Sequence, residues 1–390
     1  MSKKARVVVF DLPEDVVVNI LCRLPVKSLI RFTCVSKRWR SIIISDSQFA
    51  TSTFQLASQT TTLRQRLLLS CDRDYIPCRF QCIGDLDMPC FGGSSLVQSL
   101  TLPPEVKTER VMLASCNGLV VLVERLESIY TNNLFFWNPS TGFYRKIPSP
   151  ENSMMTKLGS YTWSVSCGFG NVMAADEYKL VFFDPSDSAV HIFSTRDSKW
   201  KVIKFAPHSL FPEHDGRPLL VSNGACHWVS NGVPEPAVYA FDLKGEEFRQ
   251  LPLPLLALMP EPDFLPAKQI ATQVLREGCL CVSSRNWHGN VEFWEMKEYG
   301  VPESWVKLFH FSVQDLPDVF ASANVWFPVL VTECGTVVIS IFSDIFSLYG
   351  NRELVRIKCQ RDEKPVCSGR IGFMYKFAMT IIYDETLLSV

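Results

Sequence analysis

FFWNPSTGFYRKIP, from Phe135 to Pro148, is the stretch from which the fold is read. A run of large apolar residues suits a buried strand. Asn, Pro, Ser, Thr and Gly then supply the chemistry of a tight connection, and a second short segment follows with an aromatic ahead of basic residues. The pattern returns as VHIFSTRDSKWKVI (Val190–Ile203), VYAFDLKGEEFRQLP (Val238–Pro252) and VEFWEMKEYGVPESWVKLF (Val291–Phe309). Starts at 135, 190, 238 and 291 lie 55, 48 and 53 residues apart, the spacing of a four-stranded sheet repeated around an axis.

A second element recurs between these hairpins. SCNGLVVL at Ser115, SNGACHWVS at Ser222, EGCLCVSS at Glu277 and TECGTVVIS at Thr332 each place small residues before a strand, as a tight turn into a buried strand requires. Apolar runs at Leu67–Ser70, Glu109–Leu113, Gly118–Val123, Lys179–Phe183, Pro218–Val221, Ala237–Phe241, Gly278–Ser283, Val329–Val331 and Val337–Ile341 add further strands. Uniform helix–strand alternation is absent, which argues against a dinucleotide-binding fold. The expected architecture is an all-β domain, a six-bladed β-propeller. The strand-like tail from Ile381 is expected to pair near Leu67 and close the ring.

The first fifty residues read differently. Leu12-Pro13-Glu14-Asp15 is a helix start, and Val16, Val17, Ile20, Leu21 and Leu24 follow at helical spacing until Pro25. Lys27–Cys34 predicts a second helix and Val35–Ile44 a third, carrying Trp39. The domains drawn from this are a helical module over 8–52, a linker over 53–65 and the β-domain over 66–390. About forty residues cannot bury a sufficient core alone. Patterning leaves two readings open: the surplus apolar face packs on the large domain, or it covers a partner.

Composition narrows the function. The chain has 390 residues, 47% hydrophobic and 20% charged, with a formal net charge of -1. That balance supplies no field to gather nucleic acid or an anionic membrane, so neither is an expected partner. The apolar run Val7–Phe10 is too short for a signal-peptide core or a membrane span, so a cytosolic or nuclear location with reduced thiols is expected. Cys71, Cys78, Cys82 and Cys90 lack paired CxxC knuckles and a nearby His, and the six histidines are scattered without metal spacing. No metal, cofactor or catalytic residue is expected. Two polar loops are candidate capture surfaces: Arg285 to Asn290, which would expose Trp287 beside Arg285 and His288, and Pro207 to Arg217 with Phe211. The remaining tryptophans read as blade-core residues.

The LP-E-D start, the RLPVKSL centre at Arg23–Leu29, the R-F-C-V-S-K-W-R run from Arg31 to Arg40 and the closing Phe49 together resemble the F-box of plant F-box proteins. SCNGL, NPSTG, GFG with the D-YK element and the stretch from Met296 to Phe309 resemble their F-box-associated domain. The resemblance implies that the module binds a Skp-type adaptor, and through it a cullin and RING subunit. It implies an adaptor-facing set of Leu12, Pro13, Ile20, Leu21, Leu24, Pro25, Val26, Leu29 and Val35, with Trp39 pinning the third helix and bordering the interface. The function it implies is a non-catalytic substrate-recognition subunit of a ubiquitin ligase that presents an unknown target protein for degradation. A non-degradative adaptor-bound scaffold is the alternative. A propeller lectin or glycan enzyme is a remote one.

Overall fold

The computed structural model describes residues 12–60, 63–72, 79–83, 97–100, 102–103, 110–125, 132–150, 166–172, 177–204, 210–212, 219–230, 237–254, 269–274, 278–286, 288–316, 325–332, 335–342, 352–359, 364–373 and 376–389. Helix α1 (Glu14–Leu21) begins behind Pro13, with Glu14 and Asp15 at the positive end of its dipole. Helix α2 (Val26–Phe32) begins behind Pro25. Helix α3 (Lys37–Arg40) is capped by Ser36, whose hydroxyl accepts the Trp39 N–H at 3.1 Å.

The third helix departs from the continuous one expected over Val35–Ile44. A single α-turn widens into a π-helical turn over Ser41–Ser45. Three isoleucines in a row crowd an α-helix at χ1, and the wider turn redistributes them. Ile42 and Ile43 enter the core, while Ile44 is left 52% exposed.

Helix α4 (Ser47–Gln59) was not anticipated, and it runs through the expected boundary at 52 into the expected linker. Its Ser- and Thr-rich sequence has weak helix propensity. Tertiary packing compensates: Asp46 caps the first turn by accepting from Gln48 and Phe49 N–H, and Phe49, Ala50 and Thr53 are buried.

The rest is strand. In chain order come β1 (Gln65–Asp72), β2 (Arg79–Ile83) and β3 (Val97–Ser99); β4 (Arg110–Cys116), β5 (Leu119–Arg125), β6 (Asn132–Trp137) and β7 (Tyr144–Ile147); and β8 (Ser166–Val172), β9 (Glu177–Asp184), β10 (Ala189–Ser194) and β11 (Lys199–Lys204). Then follow β12 (Leu220–Ser222), β13 (Ala225–Ser230), β14 (Ala237–Asp242) and β15 (Glu247–Leu251); β16 (Gln269–Val274), β17 (Leu280–Arg285), β18 (Asn290–Met296) and β19 (Trp305–Ser312); and β20 (Val325–Val331), β21 (Thr336–Phe342), β22 (Arg352–Lys358), β23 (Val366–Phe373) and β24 (Lys376–Asp384).

Among the described residues these form six four-stranded antiparallel sheets. Five are consecutive quartets, and the sixth has the order β24-β1-β2-β3. The last strand therefore pairs with the first, with Leu67 opposite Ile382, as expected of a ring closed by its two ends. The first-ranked strands β24, β4, β8, β12, β16 and β20 touch their neighbours in a complete circuit, so the sheets surround one axis.

The two sequence repeats mark fixed places in this plan. The hairpins at 135, 190, 238 and 291 are the third and fourth strands of their sheets. The small-residue elements are the turns between first and second strands, as at Asn223-Gly224 between β12 and β13. The aromatic in the fourth strand also has a task. Trp200 Nε1 donates to the Pro148 carbonyl at 2.7 Å, and Trp305 Nε1 donates to the Pro252 carbonyl at 2.9 Å. Each indole thus clasps the end of the preceding sheet's outer hairpin.

The interior is aromatic. Phe183 sits with ring centroids 5.2 to 6.4 Å from Trp228, Phe241, Phe248 and Phe211. Burying one such ring contributes roughly 1.5–3 kcal/mol, and favourable ring geometry adds about 0.5–1.5 kcal/mol. Phe211, expected on a capture loop, is one of these core rings and is 4% exposed. Isolated in a loop sequence, it has no periodicity by which to recognise a core anchor.

Candidate functional site

Two surfaces stand out, one on the helical module and one on the ring. On α1, Val17 and Leu21 face inward. Their neighbours Val16 and Ile20, also one helical turn apart, face solvent at 36% and 49% exposure. Leu12 at 52%, Val35 at 60% and Ile44 complete a set of five exposed large apolar side chains on a module of a few dozen residues. Pro13 and Pro25 are exposed beside them, and Leu24 and Val26 are half-buried. Trp39 is half-buried with its ring 5.5 Å from Phe32 in an edge-on contact, which pins the third helix. Exposed Arg38 pairs with Glu14 at 3.3 Å across the module.

Two residues of the expected adaptor-facing set do not belong there. Leu21 and Leu29 are 0% exposed and form the module's own core with Val17, Ile42, Ile43, Phe49 and Ala50. A partner cannot touch them in this conformation. Val16 and Ile44, outside that set, are exposed instead. Val16 sits beside Val17 with the same chemistry, and only the helix phase fixed by the buried pair separates them. Ile44 is turned outward by the π-helical turn.

On the ring, strand parity divides the connections. Each consecutive quartet has an even number of strands, so the chain enters and leaves a sheet at the same end. The turns at 117–118, 138–143, 195–198, 223–224, 243–246 and 297–304 lie at the end where β24 finishes, the end that carries the helical module. The strands that flank the sheet-to-sheet joins, β7 and β8, β11 and β12, β15 and β16, and β19 and β20, end and begin at the opposite end.

The loop at 286–289 also lies at that far end, between β17 and β18. It is internally braced: Asn286 Oδ1 accepts the Asn290 N–H at 2.9 Å, and Asn286 O accepts the Gly289 N–H at 3.0 Å. His288 is exposed. Arg285 is half-buried, and burial holds its guanidinium below its ordinary pKa. Trp287 lies outside the described residues, as do His208 and His214.

Among the described residues no three His, Cys, Asp or Glu side chains are grouped to hold a metal. Burial pushes the thiols of Cys116 and Cys359 up to about 12, and those of Cys167, Cys226 and Cys281 well above the ordinary value, so they stay protonated at neutral pH. His227 is buried and bonded to Tyr299 Oη at 2.8 Å, a link from β13 to the turn after β18. The cysteines 71, 78, 82 and 90 have side chains outside the described set.

Comparisons with known proteins agree with the two-part plan. The family model "F-box domain" matches residues 9–50, and "F-box associated beta propeller domain" matches residues 83–350, more than half of the chain. Three relatives from Arabidopsis thaliana illustrate the similarity. F-box protein At3g07870 is 26% identical, with 76% of this chain and 72% of the relative covered. F-box/kelch-repeat protein At3g23880 is 25% identical over 79% of this chain and 81% of its own length. F-box protein CPR1 is 28% identical over 76% and 72%.

Proposed function

Because the chain belongs to the F-box proteins that carry an F-box associated β-propeller domain, we propose that it is the substrate-recognition subunit of a Skp–cullin–F-box ubiquitin ligase. The observation that carries this reading is the set of five exposed apolar side chains on the helical module: Leu12, Val16, Ile20, Val35 and Ile44. Singly exposed apolar residues are ordinary, but five on a unit of a few dozen residues, with Leu12, Val16 and Ile20 at helical spacing, support a surface that a partner covers. The adaptor takes that surface, with Pro13, Leu24, Pro25, Val26 and Trp39 around it. Leu21 and Leu29 hold it in shape from beneath.

The far end of the ring takes the target. The longest stretches of sequence between strands, 148–165, 205–219 and 252–268, join strand ends on the side of the ring away from the module, so adaptor and target do not compete for space. The six sheets act as six blades of one rigid platform. The chain performs no bond chemistry: it raises the target's local concentration beside the conjugating machinery and holds a lysine within reach. The reading places the protein in the cytosol or nucleus and the target's fate at the proteasome. A scaffold that binds adaptor and target without turnover uses the same two surfaces and differs only in outcome.

The test is affinity capture of the full chain and its Ile20→Asp variant from native tissue under proteasome inhibition. Proteins kept by the variant while adaptor and cullin disappear are targets held by the ring. A wild-type chain that never brings down adaptor or cullin overturns the reading. Targets whose levels are indifferent to Ile20 favour the scaffold.

A further inference from the structure

We propose that the segment that follows the last strand, Asp384 to Leu388, forms a strut that fixes the helical module in a set orientation on the ring, with Asn138 and Gly118 as its positioning residues. This does not depend on what the module docks onto. The two bodies are joined in sequence only through the short stretch between α4 and β1, and one such connection leaves a pivot. The C-terminal segment supplies a second tie on the same side of the ring, because β24 ends beside the start of β1.

At the ring, the strut is held by groups more than two hundred residues away in sequence. Asn138 is fully buried, and its Nδ2 donates to the Leu388 carbonyl at 2.9 Å and the Thr386 carbonyl at 3.1 Å. Thr386 Oγ1 donates to the Asn117 carbonyl at 2.9 Å. Glu385 N–H donates to Arg64 O at 2.8 Å, and its carboxylate pairs with Arg66. Ser115 Oγ donates to the Ile382 carbonyl just before the strut begins.

Gly118 reserves the space. Its φ is +83°, and a Cβ there would collide with the Thr386 side chain and lie 2.6 Å from the Asp384 carbonyl. The turns SCNGL and NPSTG therefore do more than close hairpins: Ser115, Asn117, Gly118 and Asn138 together make the clamp.

At the other end the strut enters the helical module. Leu387 is 7% exposed and packs with Val17, Leu21, Leu29, Ile42, Ile43, Phe49 and Ala50; Leu388 lies against the same cluster. The module's core is thus completed by the far end of the chain. Hydrogen bonds on one side and apolar burial on the other tie Leu387 into both bodies within a few residues. That leaves little freedom for the module to swing, and it sets the line from the exposed face of α1 to the far end of the ring.

The experiment measures the distance distribution between spin labels on genetically encoded ketone side chains at exposed Thr51 and Lys199 in the full chain. Asn138→Asp keeps the oxygen that accepts the Ser140 N–H at 2.8 Å, and so keeps its turn, but presents a carboxylate to two carbonyls. The expected result is a narrow distribution in the wild type that broadens about twofold in Asn138→Asp, with the near-ultraviolet circular dichroism of the ring unchanged. Leu387→Ala, which lies outside the ring, gives the same broadening and decides the matter should Asn138→Asp disturb the ring. A distribution equally narrow in wild type and Leu387→Ala overturns the proposal.

Discussion

The helical module and the β-ring dispose of their apolar residues in opposite ways. Of the eight large hydrophobic residues exposed among the described ones, five lie between Leu12 and Ile44, and only Val301, Val306 and Val366 lie on the ring. The ring buries its aromatics between sheets, as at Phe183, and closes its edges on itself. The module is too small to do either. It borrows Leu387 from far along the chain to finish its inside and leaves five large apolar side chains exposed on its outside. An exposed apolar face is therefore what a unit too small to bury it leaves behind, and adjacent residues of one helix have opposite fates.

The sharpest way to break the comparison is a pair of substitutions of like chemistry. Leu29→Asp puts an unpaired carboxylate into the module's core and is expected to cost on the order of 5 kcal/mol, melting the module. Ile20→Asp adds the same charge at an exposed site and should leave stability within about 0.5 kcal/mol. Chemical denaturation followed by circular dichroism reads both. Equal losses would erase the distinction between inner and outer faces.

In the ring, Phe183→Ala removes a ring packed against four aromatic neighbours. A loss of about 3–4 kcal/mol is expected in urea unfolding. A loss below about 1 kcal/mol would mean that the sheets do not share this core.

His227 gives the ring a pH dependence. Burial pushes its pKa down to about 4, against an ordinary value of 6.5, while backbone hydrogen bonds oppose the fall. Its partner Tyr299 is pushed by burial up to about 12 and stays neutral. Between pH 6.5 and 4 the unfolded chain takes up a proton that the folded chain refuses. Stability from this group is therefore full above pH 6.5 and falls by about 1.4 kcal/mol per unit towards pH 4, about 3 kcal/mol in all. Urea midpoints at pH 7, 5.5 and 4 should show that slope in the wild type and a flatter one in His227→Gln.

The smallest effect expected is at the clasp: Trp305→Phe keeps an aromatic ring but removes the donor to Pro252, for about 1 kcal/mol. A neutral result would reduce the repeated indole to a packing residue.

What the sequence disclosed follows the same division. Strands and their hairpins were legible because alternating apolar runs and turn residues recur at a near-constant period, and the tail's pairing with β1 follows from the need to close the ring. The rest depends on contacts between residues distant in sequence. Leu21 and Leu29 look identical to Ile20 and Val35 until Leu387 and Phe49 show which side is inside. Helix α4 has weak intrinsic propensity, although Asp46-Ser47 was a readable cap and Phe49, Ala50 and Thr53 a readable face. Phe211 looked like a loop aromatic until Phe183 and Phe248 surrounded it. Asn138 read as turn chemistry, and its Oδ1 does serve the turn, but its amide donor serves residues 248 and 250 positions later.

The outer apolar face of the helical module is the proposed adaptor site. Calorimetric titration of a Skp-type adaptor into the full chain, its Ile20→Asp variant and its Val35→Asp variant tests it most directly. The account predicts binding by the wild type and a weakening of at least about 100-fold in each variant, roughly 2.7 kcal/mol, with helix content intact. Equal affinity across all three, or no binding by the wild type, would contradict it.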